Sequence, residues 1–258
     1  MSYQTTFKRY ELKYQLNALQ KEIILAAIAP YMKLDGYGRT TIRNIYFDTP
    51  DYRLIRESIE KPTYKEKLRI RSYNQAVPED PVFIELKKKY KSIVYKRRLS
   101  LPEAETMRCF REDQPLPVYS QIADEIAYFR SFYKNLQPAV FLSYEREAFF
   151  ARNGSDFRVT FDENILYRTD QLSLGSKIGG TPVLDPSLTL MEIKTSGGFP
   201  LWMTHALTDL HLAKTSFSKY GSAYKDIVKQ KYPQCQFADT AAVQRKDSYS
   251  ALGALGIC

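Results

Sequence analysis

Through much of the chain, charged residues recur at every second position. Lys65, Lys67, Arg69 and Arg71 share one parity, with Leu68 and Ile70 on the other; Glu85, Lys87 and Lys89 lie opposite Ile84 and Leu86. The habit returns at Arg9, Glu11 and Lys13, at Lys96 and Arg98, at Tyr144 and Arg146, at Arg158, Thr160 and Asp162, and at Glu192 and Lys194. One charged strand face ordinarily just meets water. Here the same habit recurs in strand after strand and is mostly basic, an arrangement that repels itself unless an anion fills it. Arginine offers bidentate hydrogen bonds to oxyanions, and lysine a point charge. The interleaved Glu11, Glu85, Asp162 and Glu192 either balance these cations or supply hard oxygen donors for Mg²⁺ or Mn²⁺. Many bases with a few acids is the donor set that a chain of phosphates with a divalent metal requires.

Period-two alternation of this kind calls for strands. Eight are expected, at 7–16, 40–48, 63–73, 82–90, 92–101, 139–151, 157–166 and 188–195, rich in β-branched and aromatic residues. If the sheet closes, the charged faces converge on one lumen. Three helices are expected: 17–32, where Asn17 and Gln20 have capping-box spacing; 118–133, with Ile122, Ile126 and Phe129 on one stripe; and 200–212, opened by Pro200. Trp202 is expected to pack this third helix on the barrel, and Lys88 to face outward. The expected fold class is thus α+β, an eight-stranded antiparallel β-barrel with flanking helices. Residues 1–233 form the domain and 234–258, polar and weakly patterned, a flexible tail.

Composition narrows the classes. The 258 residues carry a net charge of +9 with 44% hydrophobic and 26% charged residues, which allows a real core and favours an anionic partner. The longest apolar run, 23–29, is far short of the roughly 20 residues of a spanning helix. The N-terminus is not a secretory signal. Cys109, Cys235 and Cys258 are scattered with no CxxC, which argues against a disulfide framework or thiolate zinc site and points to the cytoplasm. Two histidines leave little room for histidine-centred catalysis. Tyrosine (20) and phenylalanine (14) are plentiful enough for a single-strand nucleic-acid barrel. Their alternating strand positions, however, fit core packing, and no nucleic-acid-binding motif is present.

The triplet Glu11-Leu12-Lys13 resembles the ExK signature of the CYTH superfamily, the triphosphate tunnel metalloenzymes. More specific strings surround it: Asn44-Ile45-Tyr46-Phe47-Asp48-Thr49, Lys67-Leu68-Arg69-Ile70-Arg71, Phe83-Ile84-Glu85-Leu86-Lys87, Tyr144-Glu145-Arg146-Glu147-Ala148-Phe149, Arg158-Val159-Thr160-Phe161-Asp162, Met191-Glu192-Ile193-Lys194 and Ser216-Phe217-Ser218-Lys219-Tyr220-Gly221. In this order, over about residues 5–230, the chain resembles the VTC domain, the polyphosphate polymerase branch of that superfamily.

The resemblance implies an eight-stranded triphosphate tunnel, ATP as phosphoryl donor, inorganic polyphosphate as product and Mn²⁺ or Mg²⁺ as cofactor. Carried over residue by residue, Lys13, Arg69, Arg71, Lys87, Arg146 and Arg158 form the catalytic lining. Lys96, Arg98, Lys194, Ser218 and Lys219 add phosphate contacts. Glu192 is the principal metal ligand, with Glu11 and Glu85 as further candidates. In polymerisation the terminal phosphate attacks ATP and is already anionic; in hydrolysis Glu11 or Glu85 would act as base. The sequence shows neither the phosphate-sensing domain nor the membrane helices that accompany the eukaryotic polymerases, so a membrane partner stays open. So do a triphosphatase or polyphosphatase of the same superfamily and a non-catalytic module binding polyphosphate or inositol phosphates.

Overall fold

The fold is given by a computed structural model that describes residues 6–7, 10–91 and 93–233. Arg9 and the expected tail at 234–258 lie outside the described residues. The N-terminal segment contributes β1 (Thr6–Phe7) and β2 (Tyr10–Leu16). Then come α1 (Ala18–Ile28), β3 (Met32–Leu34), β4 (Thr40–Asp48), α2 (Arg53–Ile59), β5 (Tyr64–Tyr73), β6 (Pro81–Tyr90) and β7 (Ile93–Pro102). Helices α3 (Glu103–Arg111) and α4 (Gln121–Phe132) lead to β8 (Gln137–Ala151), β9 (Arg158–Arg168), β10 (Thr181–Pro182), β11 (Thr189–Thr195), α5 (Leu201–Asp209) and α6 (Lys219–Lys231).

All eight expected strands are present. They form one antiparallel sheet in the order β1-β7-β6-β5-β4-β8-β9-β11-β2, with β3 added to β8 and β10 to β9. The two ends of that path, β1 and β2, are separated in the chain only by residues 8 and 9. The N-terminal segment therefore borders both margins, and the long strands curl into the expected barrel.

Alternation divides each strand between two environments. Outward side chains of β4–β8 — Ile45, Phe47, Leu68, Ile70, Ile84, Leu86 and Phe141 — pack with Leu54 of α2 and Ile126 and Phe129 of α4. On the other side Leu16, Val159, Phe161, Met191 and Ile193 pack with Ile24 and Ile28 of α1 and Met203 and Leu207 of α5. Two apolar layers thus hold the barrel wall from outside. Trp202 stacks on Tyr31, and Lys88 points outward to Glu125 at 3.2 Å.

Three helices match the expected ones with shorter bounds. Asn17 caps α1 as its spacing predicts: its side chain accepts the Gln20 amide at 2.8 Å, and Gln20 returns a bond to the Asn17 amide at 3.0 Å. The helix stops before Met32, near Pro30, which lacks an amide to donate, and Met32 enters β3. Helices α2, α3 and α6 were not expected. The start of α2 is capped from a strand: Asp48 accepts the Leu54 and Ile55 amides at 2.8 and 3.1 Å. Such a cap has no fixed spacing in sequence. The chain divides into two compact units, Met1–Ser222 and Ala223–Cys258, so only Lys219–Ser222 of α6 belong to the barrel unit. In the second unit α6 ends with Lys229 and Lys231, cations placed favourably at a helix C-terminus.

Candidate active site

Register places the inward side chains in cross-strand rows. On one wall Arg69 lies opposite Glu85, which lies opposite Arg98, and Tyr46 of β4 completes the row beside Arg69. Glu85 is 1% exposed and binds nearly everything around it. Arg69 reaches it at 2.6 Å, Arg98 at 2.5 Å, Lys96 at 2.6 Å and Arg71 at 3.9 Å. Further bonds fix the guanidiniums in place. Arg69 donates to the Tyr46 hydroxyl at 3.0 Å; Arg71 donates to Asn44 at 2.9 Å and Tyr144 at 3.1 Å.

The opposite wall has its own acids. Arg146 grips both oxygens of the buried Asp162, at 2.5 and 2.6 Å, and reaches Glu192 at 3.3 Å. Glu192, 5% exposed, also receives Lys194 at 2.9 Å, Lys219 at 2.9 Å and Lys13 at 3.6 Å. Lys219 enters from the start of α6 and bridges Glu192 to Asp162, which it meets at 2.5 Å. The N-terminal strand ties the walls together: Glu11 lies 3.3 Å from Lys13 and 3.6 Å from Lys87 of β6.

Electrostatics follow from burial and crowding. Burial alone would raise the Glu192 carboxyl, but Lys194, Lys219, Lys13 and Arg146 outweigh it and hold it well below the ordinary range. Burial is likewise outweighed at Glu85 by Arg69, Arg71, Lys96 and Arg98, and at Asp162 by Arg146 and Lys219. Glu11 comes down to about 2, its burial overcome chiefly by Lys87. Among the cations, burial pushes Lys96 down to about 8 despite Glu85. Burial also lowers Lys67, reinforced by Lys87, Lys65, Lys13 and Arg69, to about 7.

The structure therefore brings together Lys13, Arg69, Arg71, Lys87, Lys96, Arg98, Arg146, Lys194, Lys219, Glu11, Glu85 and Glu192. Arg158 sits at one end, 4.5 Å over the Phe150 ring, and with Arg71, Arg146, Tyr73 and Tyr37 lines a cavity of about 50 Å³. The Ser218 hydroxyl is occupied as a helix cap, accepting the Gly221 amide at 3.2 Å. A methyl on Gly221 would approach that oxygen to 3.1 Å, a contact that Ser218 would have to relieve by a few tenths of an ångström. Asp162, one of the four carboxylates expected either to balance cations or to bind a metal, shares the lining and pairs with Arg146 and Lys219; Lys67 also shares it but was not among the expected site residues, although its parity placed it on a charged face. Tyr46, Tyr144 and Tyr220 also belong to the site: Tyr220 stacks on Tyr46, and Lys219 lies 4.7 Å over the Tyr144 ring.

Among the described residues no three His, Cys, Asp or Glu side chains are grouped to cage a metal. The donor chemistry nevertheless fits Mg²⁺ or Mn²⁺ shared with a phosphate, which needs only one or two protein carboxylates. Directly opposite Glu192 on β9, the fully buried Thr160 hydroxyl has no hydrogen-bond partner among the described residues. Glu192 and this hydroxyl form a hard-oxygen pair facing the lumen.

The VTC domain family matches residues 8–228. Solved structures to which the chain is similar include a putative adenylate cyclase from Bacillus halodurans, at 14% identity over 93% of this chain and 98% of that one, with a TM-score of 0.46. A putative adenylyl cyclase from Hippeastrum, described as having a dominant triphosphatase activity, matches at 13% identity over 82% and 93%, with a TM-score of 0.47. A putative adenylate cyclase from Vibrio parahaemolyticus matches at 12% identity over 85% and 99%, with a TM-score of 0.44. No curated protein matches the chain.

Proposed function

We propose, for a chain that belongs to the VTC domain family, that the barrel synthesises inorganic polyphosphate from ATP by metal-dependent phosphoryl transfer. The observation that carries this reading is the lumen itself. Basic groups from every wall converge there and outnumber the acids, and the acids are fully engaged in holding cations in place. Phosphoryl transfer asks a protein mainly for positioning and charge stabilisation. Arg69, Arg71 and Arg146, locked by Glu85, Asn44 and Asp162, present guanidiniums to phosphate oxygens without having to reorganise. Lys13, Lys194 and Lys219 surround Glu192 and would exchange part of that pairing for bound phosphate. Glu192, with Thr160 opposite, would hold Mn²⁺ or Mg²⁺. The ion would supply charge neutralisation between neighbouring phosphates.

The protonation states favour transfer to phosphate over transfer to water. A growing chain attacks through an oxygen that is already anionic, so it needs no base. Water needs one, and Glu11 and Glu85, the available candidates, are both held far below the pH at which a carboxylate accepts protons well. Among the described residues no helix is long and apolar enough to cross a membrane.

The test is incubation of the purified chain with γ-labelled ATP and Mn²⁺, beside Glu192→Gln. A ladder of long phosphate chains, reduced about 10²-fold or more in the variant, is expected. Free phosphate without a ladder would assign a triphosphatase instead. Intact ATP together with tight polyphosphate binding would assign a binding module.

A further inference from the structure

Outside the lumen, two arginines are folded against the barrel wall with no acid to meet them. Arg43 points outward from β4, on the same parity as Ile45 and Phe47, and is 5% exposed. In register it lies between Ser72 of β5 and Ser143 of β8, so small side chains flank it on both sides. The segment 169–180, between β9 and β10, closes over it: Arg43 donates to the Leu174 and Ser176 carbonyls at 2.9 and 2.5 Å. Arg168, at the end of β9, lies 3.9 Å over the Phe141 ring. It donates to the carbonyls of Asp170, Gln171, Lys177 and Gly179, each at 3.1 Å. Burial and Arg168 both lower the pKa of Arg43; at Arg168 the exposed Asp170 only partly offsets burial. Two donors beside these charges lack acceptors. The Arg43 Nε–H and the hydroxyl of Ser143, which is 1% exposed, are buried without a hydrogen-bond partner among the described residues. They belong to directly opposed residues, whose Cβ atoms stand roughly 5 Å apart in an antiparallel pair. An unmet buried donor and an unmet buried charge are both costly. A bridging water would satisfy the donors and leave the charge; an anion satisfies both.

We infer that Arg43 and Ser143 form a binding site for one small monovalent anion of the chloride type, on the outer wall of the barrel beneath segment 169–180. The Arg43 Nε–H and the Ser143 hydroxyl are its donors, and Arg43 and Arg168 its countercharge. The site is separate from the lumen, because Arg43 and Ser143 have the opposite parity to Asn44 and Tyr144, which bind Arg71 inside. The ion is small because both donors are closed off from solvent, under a segment anchored by Leu174 in the outer apolar layer. The bound anion fastens that segment to the wall: Arg43 holds its carbonyls through one nitrogen and the anion through another.

The test is the thermal midpoint of the full chain as gluconate is replaced by chloride, for the wild type and Ser143→Ala. At constant ionic strength, about 0.2 M chloride is expected to raise the wild-type midpoint by at least about 2 °C, with saturation, and that of Ser143→Ala by less than about half as much. Chloride acting in the lumen or as a general salt shifts both proteins alike, so equal shifts would overturn the site. A wild-type midpoint indifferent to chloride would overturn it too. A wild-type crystal grown in bromide gives a second readout that does not depend on how the variant folds. Anomalous density between Arg43 and Ser143 would support the anion, and a water or no peak there would overturn it.

Discussion

Two neighbouring rows on the same three strands differ in one residue type and behave as different materials. The row Arg69–Glu85–Arg98 has an acid at its centre and is a finished scaffold, every charge met within the protein. The row Lys67–Lys87–Lys96 has no acid of its own and borrows relief from Glu11 and Glu85. One buried carboxylate therefore separates a support that holds its shape without ligand from a surface whose charges call for one. The far wall repeats the first pattern, with Asp162 and Glu192 fixing Arg146 and Lys219. The lumen's charges are most fully paired on the two arginine walls, and least compensated on the lysine row beside them.

Removing the acid should break the contrast most severely. Glu85→Ala leaves Arg69 and Arg71 without their countercharge and is expected to cost about 3 kcal/mol, the low end for a broken buried pair because Arg98 and Lys96 are partly exposed. A urea midpoint measurement checks this; a loss below about 0.5 kcal/mol would mean that Glu85 is no keystone.

Acid should undo the scaffold next. Glu11, Glu85, Asp162 and Glu192 all have folded-state pKa values below their ordinary values. Their contribution is thus complete above the ordinary carboxylate range and is lost as pH falls through the depressed values, for Glu11 between 4.5 and about 2. Thermal midpoints measured from pH 6 down to pH 2 should fall across that window, and a flat profile would contradict the ion-pair account.

The lysine row should respond in the opposite sense. Lys67 has a folded pKa near 7 against 10.5 for an ordinary lysine, so its charge costs stability below about 7, and the cost fades as pH rises toward 10.5. Lys67→Met is expected to raise the ligand-free melting temperature by at least about 2 °C at pH 6, the shift that ~1 kcal/mol gives a chain of this size, with a smaller gain at pH 9. A lower melting temperature at pH 6 would show that the row is compensated after all.

Parity was the part of the site legible in the residues alone. Arg69, Glu85 and Arg98 share a charged face in their own strands, and seven such strands imply a lumen, because a closed antiparallel sheet leaves inward side chains nowhere else to point. The capping box at Asn17 could be read the same way, from local chemistry at fixed spacing, whereas the string around Lys219 was legible only through its resemblance to the VTC family. Register could not be read. Whether Glu85 lies opposite Arg69 or one residue away depends on turns and on packing against α4, and that choice decides which cations it neutralises. The start of α2 on Asp48 and the stacking of Tyr220 on Tyr46 join residues far apart or with no fixed spacing. The sequence by itself determined which side chains face inward, since alternation is a property of each strand. Only the tertiary structure decided which inward charges meet an acid and which are left for a ligand, since that depends on distances between strands.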